Sequence, residues 1–293
     1  MSVSILIPTY NYDCSELIKA LLTQANSLGE EYELIVGDDG STDGNIVNNL
    51  ITTCSISKNC RLLRVKKNLG RAGIRNRMGH EASKENLLFM DSDAEVVDSS
   101  FLRDYILAIK DHPIVSGFIS QPPECPSIDM MLRYNYEKSY GSHHSASRLN
   151  KMSHPPLSTF CFMIKKELFD SVQFDDSFMD YGYEDVMYGM RLRKLGYRVF
   201  YIDTPLQHNG METNSKFIEK TERALRTLKK HEEELKDDVH LLHVVNELHK
   251  FRVAGLVRIV LKPFLSKLRN NLCSSDAKLR WLNVYKLGYY LIS

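Results

Sequence analysis

Apolar and polar positions switch between two periods along the first half of the chain. Residues 3–7 form a short β-branched run ended by Pro8, and residues 13–29 then carry Leu17, Leu21, Ala25 and Leu28 at helical spacing behind an Asp/Ser cap region. The same order recurs with strand 33–36 before helix 45–51, strand 61–65 before helix 72–82, and a fourth strand at 87–90. Strand and helix alternating in this way predict an α/β fold with a parallel sheet and right-handed crossovers.

The second half is less regular. Residues 116–156 carry prolines and weak periodicity, which predicts irregular structure around a short helix near 129–139. Strand character returns at 157–164, followed by a helical turn at 166–170. Residues 184–195 predict a helix with Val186, Met187, Met190 and Leu195 on one side and Gly196 as its C′ residue. A strand follows at 198–202. From 215 to about 236, Phe217, Ile218, Leu225, Leu228 and Leu235 recur every three or four residues amid charges, as on a surface helix covering a core.

Composition bounds the class. A chain of 293 residues with 43% hydrophobic and 26% charged residues is ordinary for a globular protein. No apolar stretch reaches the ~18 residues of a spanning helix, and the first residues lack a basic n-region, so a cytosolic protein is expected. Six cysteines without a C-x-x-C pair argue against structural zinc and, in the cytosol, against disulfides. The net charge of +1 conceals an asymmetry: residues 251–293 hold eight Lys/Arg against the single acid Asp276, leaving 30 basic and 36 acidic residues before them. That asymmetry points to an anionic partner for the tail, either membrane lipid or nucleic acid.

The chemistry-bearing residues sit where strands end. Leu87-Leu-Phe-Met90 stops on Asp91-Ser92-Asp93, the C-terminal end at which open α/β sheets bind ligands. Two such carboxylates either bind a hard divalent cation or cap a solvated strand end. Gly37-Asp38-Asp39-Gly40-Ser41-Thr42-Asp43 places more acids on the same edge, with Ser41 or Asp43 as the helix N-cap. A carboxylate there can accept the imide N–H of uracil. Arg71, Arg75 and Arg77 either supply charge for a diphosphate or form a solvated helix face, and Arg71 is the favoured contact because it precedes the predicted helix. At the start of helix 184–195, only one of Glu184 and Asp185 can face a given site, either as a general base on a sugar hydroxyl or as a dipole complement. His208, after strand 198–202, is either structural or a metal partner for Asp93.

Taken in order, Pro8-Thr9-Tyr10-Asn11, Asp38-Asp39-Gly40-Ser41-Thr42-Asp43, Asn68-Leu69-Gly70, Asp91-Ser92-Asp93, Gly182-Tyr183-Glu184-Asp185 and Arg191-Leu192-Arg193-Lys194-Leu195-Gly196-Tyr197 resemble family 2 glycosyltransferases of the GT-A fold. The resemblance covers roughly residues 1–215 and implies a Rossmann-like, mostly parallel sheet flanked by helices, with 216–293 as a helical C-terminal extension. It further implies inverting, metal-dependent hexosyl transfer from a nucleoside-diphosphate sugar, most often a UDP-sugar, to a saccharide or lipid-linked acceptor. Pro8, Thr9, Tyr10, Asn11, Asp38, Asp39, Arg71, Asp91 and Ser92 would hold the nucleotide sugar. Asp93, with Asp91 and His208, would bind Mn²⁺ or Mg²⁺. Asp185, with Glu184 beside it, would be the catalytic base. The sequence after His208 resembles bacterial relatives that build surface polysaccharide. No Q-x-x-R-W motif is present, so one transfer per encounter is expected rather than processive polymerisation.

Two rival classes make different demands. A haloacid dehalogenase-like phosphatase also ends an apolar strand on D-x-D, but on its first strand with a Thr or similar just after it, whereas Ala94-Glu95 follow here. A transferase-like scaffold without activity would not need Asp38, Asp93 and Asp185. In the tail, residues 256–269 alternate apolar and basic positions. They suit either an interfacial helix on anionic lipid at the inner face of the membrane or a helix packed on the body or in a dimer contact; nucleic acid is not the expected partner.

Overall fold

A computed structural model describes residues 2–143 and 145–293. Among the described residues, eight strands form one sheet: β1 (Ser2–Thr9), β2 (Glu31–Asp38), β3 (Cys60–Arg64), β4 (Asn86–Met90), β5 (Ala94–Glu95), β6 (Ile114–Ser120), β7 (Cys161–Lys165) and β8 (Phe200–His208). Their spatial order is β3-β2-β1-β4-β7-β6-β8-β5. The first four strands are parallel, β7 lies antiparallel between β4 and β6, β8 runs parallel to β6, and β5 closes the edge antiparallel to β8.

The helices are α1 (Ser15–Leu28), α2 (Gly44–Cys54), α3 (Gly70–Glu81), α4 (Phe101–Ala108), α5 (Met131–His143), α6 (Ala146–Leu149), α7 (Lys166–Ser171) and α8 (Glu184–Lys194), then α9 (Asn214–Lys230), α10 (Glu232–Leu235), α11 (His240–Lys250), α12 (Ala254–Leu261), α13 (Leu265–Cys273) and α14 (Arg280–Ile292). The predicted alternation over residues 1–90 is the observed one, because β1, β2 and β4 are apolar on both faces while β3, with Arg61 and Arg64 exposed, forms the edge. Ile5, Ile7, Leu34, Val36 and Leu88 pack under α1, α2 and α4, while Leu6, Ile35, Leu87 and Phe89 pack against α3, α7 and α8. Burying each such side chain contributes roughly 1.5–3 kcal/mol.

Several boundaries differ from expectation for physical reasons. β1 continues through Pro8 to Thr9: its pairing with β4 stops at Leu6, so the missing N–H of Pro8 faces no acceptor on that side. β2 runs on to Asp38, which makes Asp38 a strand residue rather than a loop residue. β8 extends past 202 to His208. A register shift opposite Ser116 and Phe118 absorbs the Asp203-Thr204-Pro205 segment, which reads locally as a turn. Residues 116–156 are more ordered than their pattern implied, since they open on β6 and contain α5, a 13-residue helix. Leu195 falls just past the end of α8 and is 57% exposed, while Tyr188 and Leu192 of the helix take inward places. The predicted helix 215–236 breaks at His231 into α9 and α10.

The C-terminal helices divide in their packing. Leu282 and Tyr285 of α14 share a core with Phe217 and Ile218 of α9 and Leu132 of α5, and Tyr290 joins Met187, Met190 and Leu225. Phe251, Leu256, Ile259, Val260 and Phe264, by contrast, are 53–71% exposed. Among the described residues, no helix is long and apolar enough to cross a membrane.

Candidate functional site

Because β1, β2 and β4 are parallel, their C-terminal ends share one edge of the sheet, and the first two loops there are stitched together by Asn11. Its φ of 49° turns the side chain so that Oδ1 accepts from Thr42 N at 2.8 Å and Asp43 N at 3.2 Å, while its backbone N–H donates to Ser41 Oγ at 2.8 Å. Thr9 donates its hydroxyl to Tyr12 O, and Tyr10 is 50% exposed beside them. Asp38 is fully buried, accepts from Ser41 N and lies 3.0 Å from Arg64 Nε. Asp43 caps α2, as the sequence allowed.

Asp39 serves a different helix. Its carboxylate accepts from Leu69 N at 2.7 Å and Gly70 N at 3.1 Å, which caps the start of α3. Burial, opposed by those two hydrogen bonds and reinforced by the charge of Asp38, pushes its pKa up to about 6.

Arg71 lies in the first turn of α3 rather than ahead of it, a correction to the boundary expected from the sequence. The helix begins two residues early because Gly70, at φ 76°, and the Asp39 cap start it there. Arg71 and Arg75, one turn apart, clasp Asp91: Arg71 Nη2 is 2.8 Å from Oδ2 and Arg75 Nη2 is 2.5 Å from Oδ1. Glu184 Oε1 reaches Arg71 Nε at 2.8 Å. Two carboxylates and two guanidiniums thus neutralise one another, and Arg75 is only 1% exposed. With both oxygens of Asp91 so engaged, it is poorly placed as a phosphatase nucleophile.

Asp185, the next residue along, faces the other way and lines a cavity of about 190 Å³ with Arg71, Asp91, Asp93, Tyr181 and His208. Burial first, and the charge of Glu184 second, push its carboxyl up to about 6. Across the cavity, Asp93 Oδ2 is 3.3 Å from His208 Nε2, and Glu137 Oε1 is 2.9 Å from Nδ1 on the other side of the ring. Arg133 Nε stands 2.5 Å from Glu137. Burial disfavours the imidazolium, but its hydrogen bonds to the two carboxylates prevail and raise His208 to about 9. Gly210 is required beside them, because a Cβ there would fall 2.2 Å from Asp93 Oδ2.

The structure therefore brings five predicted residues to one cavity: Arg71, Asp91, Asp93, Asp185 and His208. It does not bring Pro8, Thr9, Tyr10, Asn11, Asp38 or Asp39 to that cavity. Glu184 stays behind the arginines, and Ser92 lines a neighbouring recess with Tyr12 and Asn209. Sequence reasoning missed Arg133, Glu137, Tyr181, Glu212 and Lys220. Arg133 and Glu137 do form an i,i+4 pair, the one local signal that α5 offered.

Among the described residues, no group of three or more His, Cys, Asp or Glu side chains gathers as a metal cage. Asp93 and His208 supply two donors, one carboxylate oxygen and one imidazole nitrogen, with Glu137 set to hold the distal ring nitrogen. That pair fits a cation whose remaining ligands come from diphosphate and water.

The profile described as Glycosyl transferase family 2 matches residues 4–173. An uncharacterized glycosyltransferase of Haemophilus influenzae is 30% identical over 116 residues, 39% of this chain and 45% of that protein, so the similarity spans less than half of the relative's length. A mannosyltransferase from Pyrobaculum calidifontis, solved in complex with GDP-Man and Mn²⁺, superposes with a TM-score of 0.62 at 18% identity, covering 99% of this chain and 84% of that one. Glucosyl-3-phosphoglycerate synthase from Mycobacterium tuberculosis, solved with Mn²⁺, UDP and glucosyl-3-phosphoglycerate, gives a TM-score of 0.50 at 14% identity over 78% of this chain and 79% of that one. At such identities the likeness is one of fold.

Proposed function

This chain belongs to glycosyl transferase family 2 and has the GT-A fold, and from that premise we propose that it moves a sugar from a nucleoside-diphosphate sugar, a UDP-sugar first among them, to a hydroxyl of a saccharide or lipid-linked acceptor. The observation that carries this reading is Asp185: a carboxyl raised to about 6, at the start of α8, facing the same cavity as Asp93 and His208. A base poised near the working pH removes the acceptor proton, and the hydroxyl attacks the anomeric carbon on the face opposite the departing diphosphate, with inversion. The Pro8–Asn11 loop, tied to the Asp38–Asp43 loop, forms the nucleoside side of the site, with Tyr10 exposed for a base to stack on. Arg71 and Arg75 hold Asp91 and Glu184, so the floor of the site is rigid and nearly neutral.

Mn²⁺ or Mg²⁺ would be held by Asp93 and His208, and when bound it offsets charge on the leaving diphosphate. The GDP-Man, UDP and Mn²⁺ present in the two solved relatives are consistent with such a donor. Residues 1–215 make up the catalytic unit, with 216–293 a helical extension whose α14 is anchored on α9. The exposed Phe251, Leu256, Ile259, Val260 and Phe264, interleaved with Arg258, Lys262 and Lys267, support docking on an anionic membrane at its cytoplasmic face. Such a location suits single transfers to lipid-linked precursors of surface polysaccharide.

The deciding experiment is a panel of UDP- and GDP-sugars assayed for hydrolysis with and without Mn²⁺. Turnover of one donor that requires the metal, and loses it with Asp93→Ala, is the expected result. Absence of any sugar-nucleotide hydrolysis would leave the inactive-scaffold reading in its place.

A further inference from the structure

A second cavity of about 120 Å³ adjoins the carboxylate cavity, and Arg133, Tyr181 and Lys220 form walls of both. It is smaller than the roughly 300–1,000 Å³ of whole-ligand pockets, so it suits one end of a larger molecule. Its remaining walls include Tyr136, Tyr183 and Lys286, and among the described residues no carboxylate lines it.

The charges there do not balance. Arg133 is matched by Glu137 and Lys220 by Glu212. Lys286 makes no ion pair with any carboxylate among the described residues, and the helix that carries it is anchored through Leu282, Tyr285 and Tyr290, each packed into the body. Burial with no compensating acid pulls its ammonium below the ordinary lysine range. A desolvated cation without a partner is costly unless a ligand supplies the anion.

The aromatic walls are equally specific in placement. Tyr183 adopts φ 68°, a left-handed conformation rare outside glycine, and it is the residue that leads through Glu184 to Asp185. The backbone that sets Asp185 at the first cavity therefore also sets an aromatic ring in the second. Tyr181 lies between them, with Arg71 5.7 Å from its ring centroid and Lys220 at 5.8 Å.

We propose that this cavity is the acceptor subsite and that it selects an acceptor carrying an anionic group, a phosphate or a carboxylate, which rests on Lys286 while the adjoining sugar ring stacks among Tyr136, Tyr181 and Tyr183. The inference rests on the transferase reading, for it places the acceptor beside Asp185. Aromatic faces suit the apolar face of a sugar ring, and a lysine is a point-charge partner for either anion.

The test uses the full chain and three probes: glucose 6-phosphate, glucuronate and glucose, titrated by calorimetry. At least one anionic probe should bind tenfold or more tighter than glucose, and which of the two prevails separates phosphate from carboxylate. Lys286→Met should erase that preference and Lys286→Arg should restore it. Equal binding of all three probes, binding of none, or an unchanged preference in Lys286→Met overturns the proposal. UDP and GDP are titrated in parallel: loss of nucleotide binding in the unaltered protein would count against the transferase reading, independently of what the sugars do.

Discussion

Asp93 Oδ2 faces His208 Nε2 at 3.3 Å, and Glu137 closes the other side of the ring, so a buried histidine is flanked by two carboxylates. The arrangement favours the protonated imidazolium as long as no cation takes its place, and it ties the turn between β4 and β5 to α5 and β8 at one point.

A pH dependence of stability follows. His208 is raised from 6.5 to about 9, so its contribution is fully present below about pH 6.5 and is lost as pH rises through about 9. The loss should be on the order of 3 kcal/mol. Asp93 and Glu137 are held below their ordinary values, against burial, by hydrogen bonds to His208, so their contribution disappears only on acidification. Urea unfolding of metal-free protein at pH 6.5 and pH 9.5 checks this; equal midpoints would contradict it.

Asp185 provides the kinetic counterpart. As its carboxyl is raised to about 6, transfer should climb with pH through that value and level off above it. Asp185→Asn should lower turnover by at least about 100-fold, in keeping with general-base contributions, while nucleotide affinity holds. Undiminished turnover in this variant would remove Asp185 from the role of base.

Arg75→Met tests the clasp on Asp91. With Arg75 1% exposed, removing one side of the buried pair should cost about 3–5 kcal/mol in chemical denaturation. Arg71→Met should cost less, because the Arg71 side chain is 40% exposed and water can replace it. If Arg71 proved the costlier of the two, the weight placed on burial would be misplaced.

For membrane docking, substitution is a better probe than truncation, since Leu282, Tyr285 and Tyr290 of α14 belong to the core. Leu256→Ser with Ile259→Ser and Phe264→Ser should reduce sedimentation with vesicles rich in anionic lipid and leave the unfolding midpoint nearly constant, because all three side chains are more than half exposed. Unreduced vesicle binding would assign the patch another role.

What could be read from the chain alone was whatever is encoded within a few residues. Doubly apolar runs such as Ile5–Ile7 and Leu87–Met90 declare buried parallel strands. Asp91 and Asp93 declare a strand end by their position after such a run, and the angle between successive helical residues announced that Glu184 and Asp185 would part. β6 escaped notice because residues 114–120 carry little of a period-2 pattern, the strand being buried at one end and half-exposed at the other. The length of β8 escaped because its Pro205 reads as a turn until a register shift elsewhere accommodates it.

The composition of the site was decided by tertiary structure. Glu137 meets His208 across 71 residues and Asp93 meets it across 115, and both encounters depend on β7 lying antiparallel between β4 and β6, which sets where β8 ends. Whether Arg71 is free or clasped, whether Asp39 faces a ligand or caps α3, and whether a lysine of the basic tail is drawn into a cavity, as Lys286 is, are likewise questions of which distant groups arrive nearby. Local sequence sets the period of burial and the identity of a cap; the free energy of a charge is set by the dielectric and the partners around it, and those exist only once the sheet has ordered its strands.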